Sequence, residues 1–221
     1  MTALKPIGYI RNDFTDKFGI PRQSGMTDLV STVEFVDKYS SPDAFRGLEG
    51  FDYIWLIWGF DRSGESERIT VRPPRLGGNE RMGVFATRSP FRPNGLGLSS
   101  VRLAEIRVGE RGTQLVVTGA DLADGTPIYD VKPDLAYTDS HPDARGGFAE
   151  EKRGYGLKVE FPEELQAKLP EEKRNGLKEA LAQDPRPAYQ SDGREYGFRF
   201  CGKEIKFIVN GGTLTVTSVT D

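Results

Sequence analysis

One histidine, His141, and one cysteine, Cys201, are all that the 221-residue chain holds of these two types. A lone cysteine cannot close a disulfide within the chain, and one imidazole with one thiol cannot build the Cys/His-rich site that zinc chemistry needs. We therefore expect no metal. A Ser/His/Asp or Cys/His nucleophile system would have to run through His141, which lies in TDSHPDARGG, a turn-rich stretch where an exposed loop histidine is the ordinary outcome. Long apolar runs are missing too. Nothing approaches the roughly eighteen consecutive apolar residues of a spanning helix, and no charged-then-apolar leader is present, so we expect a cytoplasmic protein without membrane contact. Excess positive charge is also absent. With a formal net charge of −3, a surface coated in nucleic acid all over is excluded, and local charge has to be read separately.

What the chain does have is short β-type runs divided by turn chemistry. KPIGYIRN, LVSTVEFV, FDYIWLIWGF, ERITVRP, MGVFATR, LSSVRLAEIRV and TQLVVTGA follow one another from Lys5 to Ala120 with no helix-length pattern between them. That spacing predicts a mainly β fold, an antiparallel barrel or sandwich, because a βαβ fold would need crossover helices. Tyr53 to Phe60, apolar on both faces, is the expected core strand, and PDAFRG before it a short helix with Ser41 near its N-cap. The stretch from Asp121 to Gly147 reads as an irregular functional or packed loop. After it, GLKVEFP reads as a strand, PEELQAKL and EEKRNGLKEALAQ as two helices, and EYGFRFCGKEIKFIVNGGTLTVTSV as three strands with turns at Gly202 and Asn210-Gly211. The division expected is a barrel over residues 1–150 and a small α+β domain over 151–221.

Local charge is concentrated. Between Ile69 and Asn94 stand Arg72, Arg75, Arg81, Arg88 and Arg92 against one acid, Glu80, and no lysine. Arginine alone favours bidentate contact with carboxylate or phosphate and stacking on bases over diffuse charge. Pro73, Pro74, Pro90 and Pro93 fix φ around these arginines and lower the entropy lost on binding. The competing reading is a solvated loop whose arginines pair with acids elsewhere in the chain. None of the glycine clusters LGG, NGLGL or ARGG opens a helix, so a Rossmann-type nucleotide site is not expected.

VRPPRLGGNERMGVFATRSPFRPNGLGLS, with FGIPRQSG and RGLEGFDYIWLIWGF before it and DLADGTPIYDVKP and LAQDPRPAY after it, resembles the TsaA/YaeB family over nearly the whole chain. The resemblance implies a β-barrel methyltransferase with a small C-terminal domain. It would work as a homodimer, using S-adenosylmethionine to methylate N6 of threonylcarbamoyladenosine beside the anticodon of tRNA. By position it also implies a cofactor site made of Gln23, Ser24, Gly25, Phe60, Asp61, Arg88, Leu98, Thr118, Gly119, Ala120 and Asp121. Each suits the task. Backbone around Gly25 and Thr118 to Ala120 can read adenine edges, Phe60 can flank a ring, Asp61 can accept from ribose hydroxyls, and Arg88 can hold a carboxylate.

Methyl transfer to nitrogen asks for alignment, exclusion of water and an exit for one proton. Asp121, Asp124 and Tyr137 are the candidate bases, beside a path through water that needs no side chain. Arg72, Arg75, Arg81, Arg92, Lys132 and Arg186 are the candidate contacts to tRNA phosphates. A rival class is a non-catalytic β-barrel that binds RNA or a small anionic metabolite. Another keeps the cofactor and changes the acceptor. Affinity for S-adenosylmethionine separates the first rival from the enzyme.

Overall fold

The computed structural model describes residues 4–64, 66–73, 76, 80–152, 154–186 and 192–221. Six antiparallel strands close a barrel: β1 (Gly8–Arg11), β2 (Val30–Phe35), β3 (Tyr53–Gly59), β6 (Leu96–Gly109), β7 (Gly112–Thr118) and β8 (Pro127–Pro133), in the spatial order β1-β2-β7-β6-β3-β8. Ile10, Val33, Ile54, Leu56, Val101, Leu115, Val117 and Ile128 fill it, none more than 1% exposed. At roughly 1.5–3 kcal/mol for each such side chain, this burial sets the register of every strand.

The expected core strand is there, but it is not buried on both faces. Ile54, Leu56 and Trp58 point inward, while Tyr53, Trp55 and Ile57 alternate outward with partial exposure. The outer face meets a single helical turn, α1 (Ala136–Asp139), where the Trp55 indole N–H donates to Asp139 Oδ2 at 3.1 Å. The irregular stretch from Asp121 to Gly147 contains β8, which pairs with both β1 and β3 and closes the barrel. Its charged residues and terminal prolines hide it in the sequence, yet proline is tolerated at strand ends and Asp130 and Lys132 are partly or fully exposed. ERITVRP and MGVFATR shrink to two residues each, β4 (Thr70–Val71) and β5 (Met82–Gly83), paired with each other outside the barrel. Pro42–Phe45 is a 3-10 turn entered from Ser41, without a side-chain cap bond.

The C-terminal unit is a four-stranded sheet, order β10-β11-β12-β9, of β9 (Lys158–Glu160), β10 (Glu195–Phe200), β11 (Lys203–Asn210) and β12 (Thr213–Thr220). PEELQAKL keeps one helical turn, α2 (Glu163–Gln166), and the second helix is α3 (Glu171–Ala182), which buries Leu177, Ala180 and Leu181. The final hairpin turns on Gly211-Gly212, both at positive φ, one residue later than expected. This core draws on the other end of the chain: Phe14 bridges Phe200, Phe18 stacks on Phe207 at 6.2 Å, and Leu29 lies in the same cluster. Residues 13–29 therefore connect the barrel to the C-terminal sheet. Among the described residues, no helix is long and apolar enough to cross a membrane.

Candidate active site

Strand β7 leaves its ladder at Thr118, opposite Arg102 of β6, and the chain that follows carries Asp121 to Ser99, an inward residue of β6. The turn at Gly119 makes this path possible: its φ is +81°, and a Cβ there would sit 3.1 Å from the Gly25 backbone. The Gly25 N–H donates to Gly119 O at 2.8 Å, which brings Gln23, Ser24 and Gly25 against the Thr118 to Asp121 segment. Arg88 closes the group by donating to Gln23 Oε1 at 2.6 Å.

Asp121 is the electrostatic centre. Burial pushes its carboxyl above the ordinary aspartate range, opposed by the Ser99 hydroxyl, the Arg88 charge and the Ser24 N–H. Ser99 is 1% exposed, donates to Asp121 Oδ1 at 2.5 Å and accepts the Trp58 indole N–H at 3.0 Å. Phe60 meets Trp58 edge to face at 4.3 Å between ring centroids, and its N–H donates to Gly95 O. Ser99 and Trp58 were not among the residues expected here. The signal lies in strand parity, since Ser99 stands in phase with Val101 on the core face, where a hydroxyl must find a partner.

The other expected residues differ in exposure. Ala120 is buried in the barrel core, and Thr118 is half-buried at the end of β7. Leu98 points outward from β6 and is 56% exposed; Asp61 is exposed in the turn after Phe60. Asp124 shapes a turn: its Oδ1 accepts the Asn12 N–H at 3.0 Å and its carbonyl accepts from Arg62. Tyr137, on α1, is 87% exposed. Among the described residues, no cluster of three or more His, Cys, Asp or Glu could hold a metal.

The arginine loop is braced from within. Arg92 donates to Thr87 O at 2.9 Å, Phe91 N to Ser89 Oγ at 3.2 Å, and the Arg68 guanidinium covers the Phe91 ring. Arg72 and Arg81 are exposed, Arg81 donating to Thr70 Oγ1 at 3.0 Å, and Arg88 is exposed beside Gln23. Arg75 lies outside the described residues. Lys132 is exposed on β8, 3.5 Å from Asp130. Arg186 is occupied: its guanidinium, 10% exposed, is held by Asp184 at 2.9 Å and by Asp192 at 3.0 Å.

A closed six-stranded antiparallel barrel joined in one chain to a four-stranded sheet defines the class, a mainly β protein rather than a βαβ one. The particular family is shown by direct comparison. The chain belongs to the TrmO family: the tRNA-methyltransferase O N-terminal domain matches residues 9–140 and the TrmO C-terminal domain matches residues 155–221. The tRNA (adenine(37)-N6)-methyltransferase of Escherichia coli is 43% identical over 199 residues, 86% of this chain and 84% of that protein. A Pseudomonas aeruginosa protein named "Putative S-adenosylmethionine-dependent methyltransferase RcsF" is 42% identical over 214 residues, covering 92% and 90% of the two chains. The crystal structure of TrmO from Pseudomonas aeruginosa superposes with a TM-score of 0.79 at 32% identity, covering both chains fully.

Proposed function

We propose that this chain is an S-adenosylmethionine-dependent tRNA (adenine(37)-N6)-methyltransferase whose acceptor adenosine carries an N6-threonylcarbamoyl group. The observation that carries the reading is the gathering of Arg88, Gln23 and half-buried Asp121, with Arg88 bonded to Gln23 and its charge acting on Asp121. The residues suit the cofactor's chemistry. Arg88 offers a cation for the methionyl carboxylate, Asp121 a half-buried carboxyl for ribose hydroxyls or the sulfonium, and Phe60 a ring face. A Cβ at Gly119 would press on the Gly25 backbone at 3.1 Å, and both glycines stand at positive φ, where a side chain is strained. When bound, the cofactor supplies an electrophilic methyl group. The protein's part is to align, to keep water out and to receive a proton from N6. Of the three candidate bases, Asp121 is the one in the constellation, and Ser99 leaves its Oδ2 free of that hydroxyl.

Arg72, Arg81 and Arg92 would meet phosphate, with Lys132 on β8 a further member of the set; Arg75 belongs to it by sequence alone. Arg186 drops out of it, because both of its partners are carboxylates of the same chain. With tRNA as acceptor we place the reaction in the cytoplasm. A homodimer belongs to the same proposal. Ile69 and Phe85, each 81% exposed and joined through the Val84 N–H to Ile69 O bond, are the apolar surface a second copy would cover.

Labelled methyl transfer from S-adenosylmethionine to bulk tRNA tests the reading. The comparison is between tRNA carrying threonylcarbamoyladenosine and tRNA from cells unable to make it. Label in the first pool alone is the expected result. Label in both would remove the threonyl requirement, and label in neither would reject tRNA methylation.

A further inference from the structure

Gln183, the residue following α3, is polar, 6% exposed and bonded across to the segment after β1. Its Oε1 accepts the Arg22 N–H at 3.0 Å, and its Nε2 donates to Met26 O at 3.3 Å. Arg22 and Met26 are the residues on either side of Gln23-Ser24-Gly25, so one side chain of the C-terminal unit bridges both ends of that turn. The grip is reciprocal. Arg22 donates from Nε to Gln183 O at 3.1 Å and from Nη2 to Arg186 O at 2.9 Å, carbonyls at and beyond the C-terminal end of α3, where a helix has no partners of its own. Asp28 N, just beyond the turn, donates to Glu179 Oε2 at 3.3 Å. On its other side the turn bonds the barrel through Gly25 N and Gly119 O.

We propose that Gln183 is a positioning residue for the cofactor turn, so that the C-terminal unit sets the cofactor affinity of the site by holding that turn. The inference rests on Gln23 to Gly25 being that turn. A five-residue loop left free would have to be ordered by each incoming ligand, and that ordering would be subtracted from affinity. Held at both ends by an amide that is itself buried, it is in place beforehand. The bond pattern separates this role from helix capping. Gln183 Nε2 also reaches back to Glu179 O at 3.3 Å, which serves α3, whereas its bonds to Arg22 and Met26 serve only the turn.

The test uses the full chain with Gln183→Met, which keeps length and loses both bonds, and Gln183→Glu, which keeps the acceptor for Arg22 and loses the donor to Met26. S-adenosylhomocysteine affinity is measured by calorimetry, KM separately for S-adenosylmethionine and for tRNA, and amide exchange at Gly25 and Val116. For Gln183→Met we expect roughly tenfold weaker S-adenosylhomocysteine binding and a matching rise in the S-adenosylmethionine KM. The tRNA KM and Val116 exchange should stay unchanged, and Gly25 exchange should quicken. Gln183→Glu should fall between, and it carries the test alone if the methionine variant does not fold. Unchanged S-adenosylhomocysteine affinity in folded variants overturns the inference and leaves the cofactor reading intact. Wild-type protein that binds no S-adenosylhomocysteine overturns both.

Discussion

Ser99 and Asp121 stand 2.5 Å apart, hydroxyl to carboxylate, and the direction of that bond is fixed from behind. The Trp58 indole can only donate, so Ser99 receives from it and has its one proton left for Asp121. Asp121 is thereby held as an acceptor in a place where burial favours its neutral form. A carboxyl whose burial and hydrogen bonds pull its titration in opposite directions is suited to meet a cation or a proton.

Replacing Ser99 with alanine should therefore act twice. Buried Trp58 Nε1 loses its acceptor, an expected cost of about 1–3 kcal/mol read as a lower melting temperature. Asp121 loses the bond that opposes its desolvation, so its carboxyl rises further and S-adenosylhomocysteine binding at neutral pH weakens. A variant that melts lower yet binds as tightly as the parent would limit Ser99 to structure.

The pH dependence has a definite sign. Asp121 has its folded carboxyl raised, so its charged form, the one that accepts, is complete only above that raised value. Cofactor affinity should climb as pH rises through a range above that of an ordinary aspartate, about 3.9. Stability runs the other way. The contribution of a raised carboxyl is present below its unfolded value and fades as pH rises through the folded one. Asp121→Asn should abolish the acid limb of the S-adenosylhomocysteine binding profile and flatten that loss of stability. An acid limb that persists in the variant would assign it to another group.

The barrel was readable because its inward residues recur with period two, and the C-terminal hairpins because glycine marks their turns. β8 was not, since Pro127, Asp130, Lys132 and Pro133 are turn-and-surface types that a strand accepts only with its ends and outer face in water. Nor could the sequence show residues 13–29 crossing to the C-terminal core, because the Phe14–Phe200 and Phe18–Phe207 contacts join opposite ends of the chain. Family resemblance implied Gln23, Arg88 and Asp121 as one site; in the fold Arg88 bonds Gln23 and its charge acts on Asp121. Arg186 shows the limit of charge counting. In the sequence it is a cation flanked by prolines, and only folding brings Asp192 to the guanidinium that Asp184 already holds.

Gly97, inside the arginine loop's trailing NGLGL, has a packing reason to be glycine. A Cβ there would lie 2.3 Å from the Trp58 ring, too close for either to stay. Gly97→Ala should push the indole off Ser99 and cost about 1–3 kcal/mol by overpacking. Denaturant unfolding measures the cost, and Trp58 fluorescence in a Trp55→Phe background reports the displaced ring. A stable variant with an unmoved emission would mean that the strand shifts instead.

Salt dependence divides the arginines by task. A side chain that meets phosphate releases counterions, so Arg72→Ala and Arg81→Ala should each weaken tRNA binding and flatten the plot of log affinity against log salt by about one unit. S-adenosylhomocysteine affinity should not change in either. Arg88→Ala should do the reverse, losing the small ligand, since Arg88 sits against Gln23 and Asp121. Arg186→Met should leave both ligands bound with the parent salt slope. Its signature is stability, with roughly 3 kcal/mol lost because Asp184 is left charged and buried. Net carboxyl depression at Asp184, where Arg186 and Tyr155 outweigh burial, gives that pair its own pH sign: the stabilisation is present above the ordinary carboxylate range and is lost as pH falls through the lowered value. Filter binding at several salt concentrations, with urea unfolding of the same variants, measures both. An Arg186 variant with a flattened slope would return that residue to the RNA surface.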